Sequence, residues 1–229
     1  MCPQTPGSSW RANRGSEFFG KMSIGNFKKI IDKLIKQNLH FRDIVLFWFG
    51  EPLLHPDFKE IIQYLSQKNK NKKLAERVIV HTNGLLLSKK LTDFLVNLHG
   101  VFSYHFSIDA ATKHTYDIIR KKGNWEKVIS NIQYFLKKKK GKENISIALQ
   151  FIVMDENKHE IKLFRDYWSN FFGSNGMKYK VARMKAFDKN FTNFIFFRKL
   201  ANQSFVEGKG FKEVDKNFYS LELKKNGIN

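Results

Sequence analysis

The stretch "LFWFGEPLLHPDF", residues 46–58, drives an apolar run into Gly50-Glu51-Pro52. A carboxylate at the end of such a run either caps something or holds something. Two further apolar runs end in the same manner. "RVIVHTNG" closes on Thr82-Asn83-Gly84, and "VFSYHFSIDA" closes on Ser107 and Asp109. Small and acidic residues at three successive run ends suit one shared polar pocket, lined by Gly50, Glu51, Asn83 and Ser107. His55 and His81 could serve metal or proton transfer, but a lone histidine beside a strand is more often structural. Cys2 is the single cysteine of the chain. It can form neither an intramolecular disulfide nor a multi-cysteine metal site.

These residues need elements to hold them in place. Ser23 has the type and position of an N-cap for "IGNFKKIIDKLIKQ", whose Phe27, Ile30, Ile31, Leu34 and Ile35 share one face at helical spacing. Asp43 to Phe49 is expected as a strand. A helix follows from Pro56-Asp57, then the strand "RVIVHTNG", the helix "SKKLTDFLVNL" and the strand "VFSYHFSIDA". Two helices broken near Gly123 come next, "TKHTYDIIRKK" and "NWEKVISNIQYFL". The strand "ISIALQFIVM", the helix "ENKHEIKLFRDYWSNFF" and the strand "MKYKVARM" complete the pattern. Alternation of this kind predicts parallel strands covered by helices, either doubly wound or a (β/α) barrel. Both gather ligands at the carboxyl ends of the strands. Beyond about residue 185 no clean period remains, so residues 186–229 are expected to be an irregular extension with little order in the last dozen residues.

The 42% hydrophobic share of 229 residues is enough for a sizeable core. The apolar run Ile44–Phe49 is far shorter than the ~20 residues a membrane helix needs, so no membrane is expected. The first residues lack the basic start and apolar run of a signal peptide, which points to the cytoplasm. The net charge of +20 would attract nucleic acid or other anions. No aromatic-interleaved basic motif accompanies it, so nucleic acid is not the favoured partner. The run Lys137–Lys140 is expected to complement a helix dipole, with Gly141 as the left-handed cap.

Taken together, "MCPQTP", "FWFGEPLLHPDF", "VHTNGLLL", "FSIDAATKHTYDIIRKKGNWEKVISNI" and "LQFIVMDENKHEI" resemble the radical S-adenosylmethionine (radical SAM) enzymes. The branch most resembled is the SPASM type, whose C-terminal extension carries auxiliary clusters. The resemblance spans roughly residues 1–172. It implies a partial (β/α) TIM-like barrel over residues 1–185, with its first strand missing. It implies a [4Fe–4S] cluster, with Cys2 as the third cysteine of a Cys-x3-Cys-x2-Cys motif, and S-adenosylmethionine as the second cofactor. The two other cysteines would lie upstream of Met1, so the chain is expected to be an N-terminally truncated piece. A decayed paralogue without a cluster is the alternative, and a basic binding module a third.

The resemblance also assigns roles. Gly50, Glu51 and Pro52 would meet the methionyl ammonium, Ser107 the ribose, and Arg120 the cofactor carboxylate. Val153 would lie under the adenine, and Asn83 would line the same pocket. The implied chemistry is reductive cleavage of the sulfonium to a 5′-deoxyadenosyl radical, which takes hydrogen from a peptide, protein or small-metabolite substrate. The electron would come from a donor such as flavodoxin or ferredoxin. Residues 173–229 contain no cysteine, which leaves an auxiliary cluster without ligands in this chain.

Overall fold

The computed structural model describes residues 20–46, 50–183, 193–200 and 223–228. Among the described residues, helices alternate with strands in the expected order. They are α1 (Ile24–Lys36), α2 (Phe58–Lys68), α3 (Lys89–Leu95), α4 (Lys113–Ile119), α5 (Trp125–Lys139) and α6 (Ile161–Ser174). The strands are β1 (Phe41–Val45), β2 (Ala75–Thr82), β3 (Phe102–Ser107), β4 (Ile145–Val153), β5 (Tyr179–Arg183) and β6 (Asn193–Lys199). Ser23 caps α1 as its residue type suggests, its side chain accepting from the Asn26 N–H at 3.2 Å. The first strand is shifted from the expected Asp43–Phe49, and Phe47 to Phe49 lie outside the described residues.

All strands pair in parallel, in the order β1-β2-β3-β4-β6-β5, and the sheet is open. Side chains alternate between the faces of a strand, and the register decides which meet. Val78 lies beside Phe102, Phe102 beside Ile145, and Leu149 beside Ile195. These apolar residues join Phe27, Phe58, Leu65, Phe135, Phe164 and Trp168 of the helices in one buried core. The helices therefore cover one face only, as in a (β/α) barrel rather than a doubly wound sheet. The opposite face has different chemistry. Asp43 and Arg77 pair there, nearly buried, with Arg77 donating through Nε at 2.7 Å and Nη2 at 2.6 Å. His81 is the register partner of His105, Ser103 of Ser146, and Ser107 of Gln150.

Two expectations fail at the C-terminal end. Residues 193–199 form β6, which inserts between β4 and β5. Leu223 and Ile228, within the last dozen residues, are fully buried in the core. The aromatic-rich "NFIFFRK" lacks alternation because Phe196, on the face away from the helices, is buried beside His105 while Ile195 and Phe197 lie in the core, which removes the period that sequence inspection relies on. Its anchor is Asn193. The side chain accepts from Lys139 Nζ at 2.9 Å and the Ile147 N–H at 3.2 Å, and donates to the Lys178 carbonyl at 2.8 Å.

Lys139 belongs to the lysine run expected to complement the dipole of α5. It is 7% exposed and also donates to the Ile145 carbonyl at 2.9 Å. Burial pulls its pKa down to about 8. Lys139→Met keeps the apolar stem but takes a donor from the Ile145 carbonyl and one of two donors from Asn193 Oδ1, so unfolding free energy should fall by about 1–3 kcal/mol. Urea denaturation checks this, and Lys138→Met, at an exposed position of the same run, is the control with little expected change.

Candidate functional site: the carboxyl rim of β1 to β4

Gly50 has φ +107°, a conformation glycine adopts freely, and so lets the chain turn sharply beyond β1. Glu51 follows as the cap of a 3-10 turn, Pro52–Leu54, with Pro52 in its first position. Its carboxylate does more than cap. Oε1 accepts from the Leu53 N–H at 3.2 Å and from Thr82 Oγ1 at 2.7 Å, and Oε2 accepts from the Asn83 N–H at 2.8 Å. Glu51 thus ties the end of β1 to the end of β2. A carboxylate has about four acceptor positions; among the described residues three are filled, and Oε2 can take one more donor. Burial pushes the Glu51 carboxyl above its ordinary range. The three hydrogen bonds and the nearby charge of Arg120 act against that shift.

The β2 rim is held from behind. Thr82 Oγ1 accepts from the Gly84 N–H at 3.1 Å, and Asn83 Oδ1 accepts from the Leu85 N–H at 2.9 Å. Asn131 on α5 donates to the Gly84 carbonyl at 2.9 Å. Gly84 turns with φ +77°, and a Cβ there would already touch Ile132 at 3.4 Å.

At the β3 rim, Ser107 Oγ accepts from Gln150 Nε2 at 3.2 Å. Two residues on, Asp109 is fully buried, and its carboxylate takes Nη2 of Arg120. The Arg120 side chain is 21% exposed, and its Nε is buried without a hydrogen-bond partner. Glu51, Asn83 and Ser107 are therefore carried on neighbouring strand ends, and Arg120, just past the end of α4, lies close enough to influence Glu51 electrostatically.

Val153 does not join them. It has no exposed surface and lies in the helix-side core. The half-buried Ile152 occupies the other face at that strand end. Cys2 lies outside the described residues. His55 is structural: its Nδ1 accepts from the Asp57 N–H at 3.1 Å, so Nε2 carries the proton that bonds the Met22 carbonyl at 2.9 Å. His81 lies against His105 with ring centroids 4.4 Å apart.

Sequence inspection missed Asn157 and Glu160, the posts behind this rim. Glu160 Oε2 accepts from the Ala111 N–H at 2.6 Å, and Oε1 accepts from Thr115 Oγ1 at 2.7 Å. Asn157 Oδ1 accepts from the Met154 N–H at 2.7 Å. The signal that could have found them was the density of polar residues in "MDENKHE" immediately after a strand.

A helix-clad parallel sheet with a polar, charge-bearing carboxyl rim is the architecture of the (β/α)-barrel enzymes. The profile of the Radical SAM superfamily matches residues 2–167, and the chain belongs to that superfamily. Solved structures agree on the fold. Polyhistidine-tagged anSMEcpe with bound AdoMet (S-adenosylmethionine) superposes with a TM-score of 0.62 at 17% identity, over 91% of this chain and 49% of that one. Native anSMEcpe with AdoMet and the Kp18Cys peptide gives 0.61 at 17% identity, over 91% and 51%. The chain thus spans about half the length of these structures. None of the curated protein sequences matches it significantly.

The superfamily implies a [4Fe–4S] cluster and AdoMet. A cluster needs several thiolates, and the chain has one cysteine. Among the described residues no group of three or more His, Cys, Asp or Glu could hold a metal. The chain's own residues therefore do not make up a cluster site. AdoMet fits better: the rim offers a spare carboxylate acceptor, a hydroxyl, an apolar side chain and a partly exposed guanidinium. No helix among the described residues is long and apolar enough to cross a membrane.

Proposed function

We propose that the rim of β1 to β4 docks AdoMet, and that the chain acts as the cofactor-holding part of a radical SAM enzyme. The observation that carries this is an acid with a spare acceptor, Glu51, at the rim beyond β1, with the guanidinium of Arg120, just past α4, near enough for its charge to act on that carboxylate. Glu51 would receive the methionyl ammonium as a charge-assisted hydrogen bond. Arg120 would receive the carboxylate through donors not used by Asp109. Ser107 would meet the ribose and Asn83 would line the same pocket, and Ile152 would take the apolar contact otherwise expected of Val153. Bound AdoMet supplies, in this family, a carbon-centred radical for hydrogen abstraction; the thiolates that chemistry requires exceed those in the 229 residues. Family membership supports a substrate that loses hydrogen. The peptide in one similar structure favours a peptide or protein over a small metabolite.

The test is AdoMet binding by calorimetry or equilibrium dialysis. Glu51→Gln and Arg120→Gln should each weaken binding by about tenfold or more, the range for a hydrogen bond to a charged group. S-adenosylmethioninamine lacks the carboxylate and keeps the ammonium. Its binding should respond to Glu51→Gln and not to Arg120→Gln. Affinity should rise with pH through the raised Glu51 pKa, because only the ionised carboxylate pairs with the ammonium. A wild-type chain with no measurable affinity for AdoMet, or variants that bind it undiminished, overturns the assignment.

A further inference from the structure

We infer that Asp109 is a positioning residue that aims Arg120 at the ligand carboxylate without touching the ligand, a role resting on the AdoMet docking proposed above. Asp109 is held from several directions. It has φ +62°, a left-handed conformation that aspartate tolerates better than most side chains. Its N–H donates to the Gln150 carbonyl at 3.3 Å, and its own carbonyl accepts from Asn157 Nδ2 at 2.8 Å. Oδ1 accepts from the Ile152 N–H at 2.7 Å. Asn157 Nδ2 also donates to the Ile152 carbonyl at 2.8 Å, so one side chain ties the end of β4 to the β3 rim. The remaining oxygen, Oδ2, takes Nη2 of Arg120.

The arginine backbone is fixed as well. The Arg120 N–H donates to the Tyr116 carbonyl at 2.7 Å, and its carbonyl accepts from the Gly123 N–H at 2.8 Å. A Cβ at Gly123 would come within 2.5 Å of the Tyr116 ring, so only glycine permits that turn.

Two consequences follow from the chemistry of the pair. A fully buried carboxylate requires a partner, so Asp109 holds the guanidinium strongly. The guanidinium is a rigid planar fork, so fixing Nη2 from below sets the direction of the donors left over. Nε is buried without a partner and cannot set that direction. Arg120 therefore presents a preset orientation, paid for by the inner pair rather than by the ligand.

The experiment compares AdoMet with S-adenosylmethioninamine. Asp109→Asn keeps an acceptor for the Ile152 N–H and removes the charge that holds Arg120. It should weaken AdoMet binding by about tenfold and leave the decarboxylated analogue unaffected. In an Arg120→Gln background it should cause no further loss. Asp109→Glu, which displaces the fork by one methylene, should show the same selective loss and serves if the asparagine variant does not fold. Equal weakening of both ligands makes Asp109 a general structural post and overturns the inference. So does unchanged AdoMet affinity in Asp109→Asn while Arg120→Gln weakens it, an outcome that leaves AdoMet docking intact. If AdoMet binding ignores Arg120→Gln as well, the docking assignment itself falls, and the role of Asp109 with it.

Discussion

Glu160→Ala should lower the unfolding free energy by about 3 kcal/mol, more than the loss of a single buried hydrogen bond. The side chain is 3% exposed, and its two oxygens gather the Ala111 N–H, the Thr112 N–H and the hydroxyls of Thr112 and Thr115. Thr112 is the cap of α4, and its own oxygen accepts from the Thr115 N–H at 3.3 Å. One carboxylate thus serves the N-terminal turn of a helix, where negative charge is also favoured by the backbone dipoles. Alanine leaves several donors buried beside a small cavity. For a chain of this size the cost corresponds to a fall in Tm of roughly 6–12 °C. Glu160→Gln retains one acceptor oxygen and turns an amide against the other donors, so its loss should be smaller. Urea denaturation of both variants measures the difference. Stability within error of wild type for Glu160→Ala would remove Glu160 as the support of α4. The consequence for function is indirect: α4 ends at Arg120, so loosening its start should also weaken AdoMet binding.

Acidification should destabilise the protein well above the range of ordinary carboxyl groups. Burial, with Arg198 adding to it, lowers the His81 pKa from 6.5 to about 4. Burial also holds His105 well below its usual value, with smaller contributions from His81 and Arg77. In the unfolded chain both imidazoles take up a proton near pH 6.5. In the native protein they do not. Their contribution is complete above pH 6.5 and is lost as pH falls toward the native values; for His81 it flattens below about pH 4. Two protons give a slope of up to about 2.7 kcal/mol per pH unit, reduced by whatever solvent screens the half-buried His81. Urea midpoints across this range read the slope directly. His81→Gln and His105→Gln should each remove about one proton from it. Glutamine at 105 can still bond Ser103, whose Oγ lies 3.0 Å from His105 Nε2. A slope identical in His81→Gln and wild type would mean that other groups carry the acid transition. Glu51 works in the opposite sense: its raised pKa favours the native state as it takes up a proton.

Much of the scaffold was legible in the sequence because local physics decides it. Ser23, Ser88, Thr112 and Asn124 are cap residues placed just before apolar-periodic segments, and each caps a helix. Val78, Val80, Ile147 and Leu149 lie in near-continuous apolar runs, as strands covered by helices do. Glu51 has a double role that sequence could only pose as alternatives. The carboxylate caps a turn and keeps one acceptor position open. Val153, expected under the adenine from the resemblance, falls on the fully apolar face of "ISIALQFIV", whose other face is Ser, Ala, Gln and Ile, and lies in the core. A shift of one residue exchanges core for pocket.

The chain by itself determined the alternation of elements, the covered sheet and the polar strand ends, because caps, turns and hydrophobic periodicity act over a few residues. Tertiary structure decided that β6 enters the sheet between β4 and β5, that Lys139 is an internal staple, and that Arg120 answers first to Asp109. Those outcomes depend on groups from 11 to 54 positions apart in the chain. Pairings at that distance are selected by register and by the cost of leaving a buried charge or carbonyl unmatched, and neither is written in any local pattern.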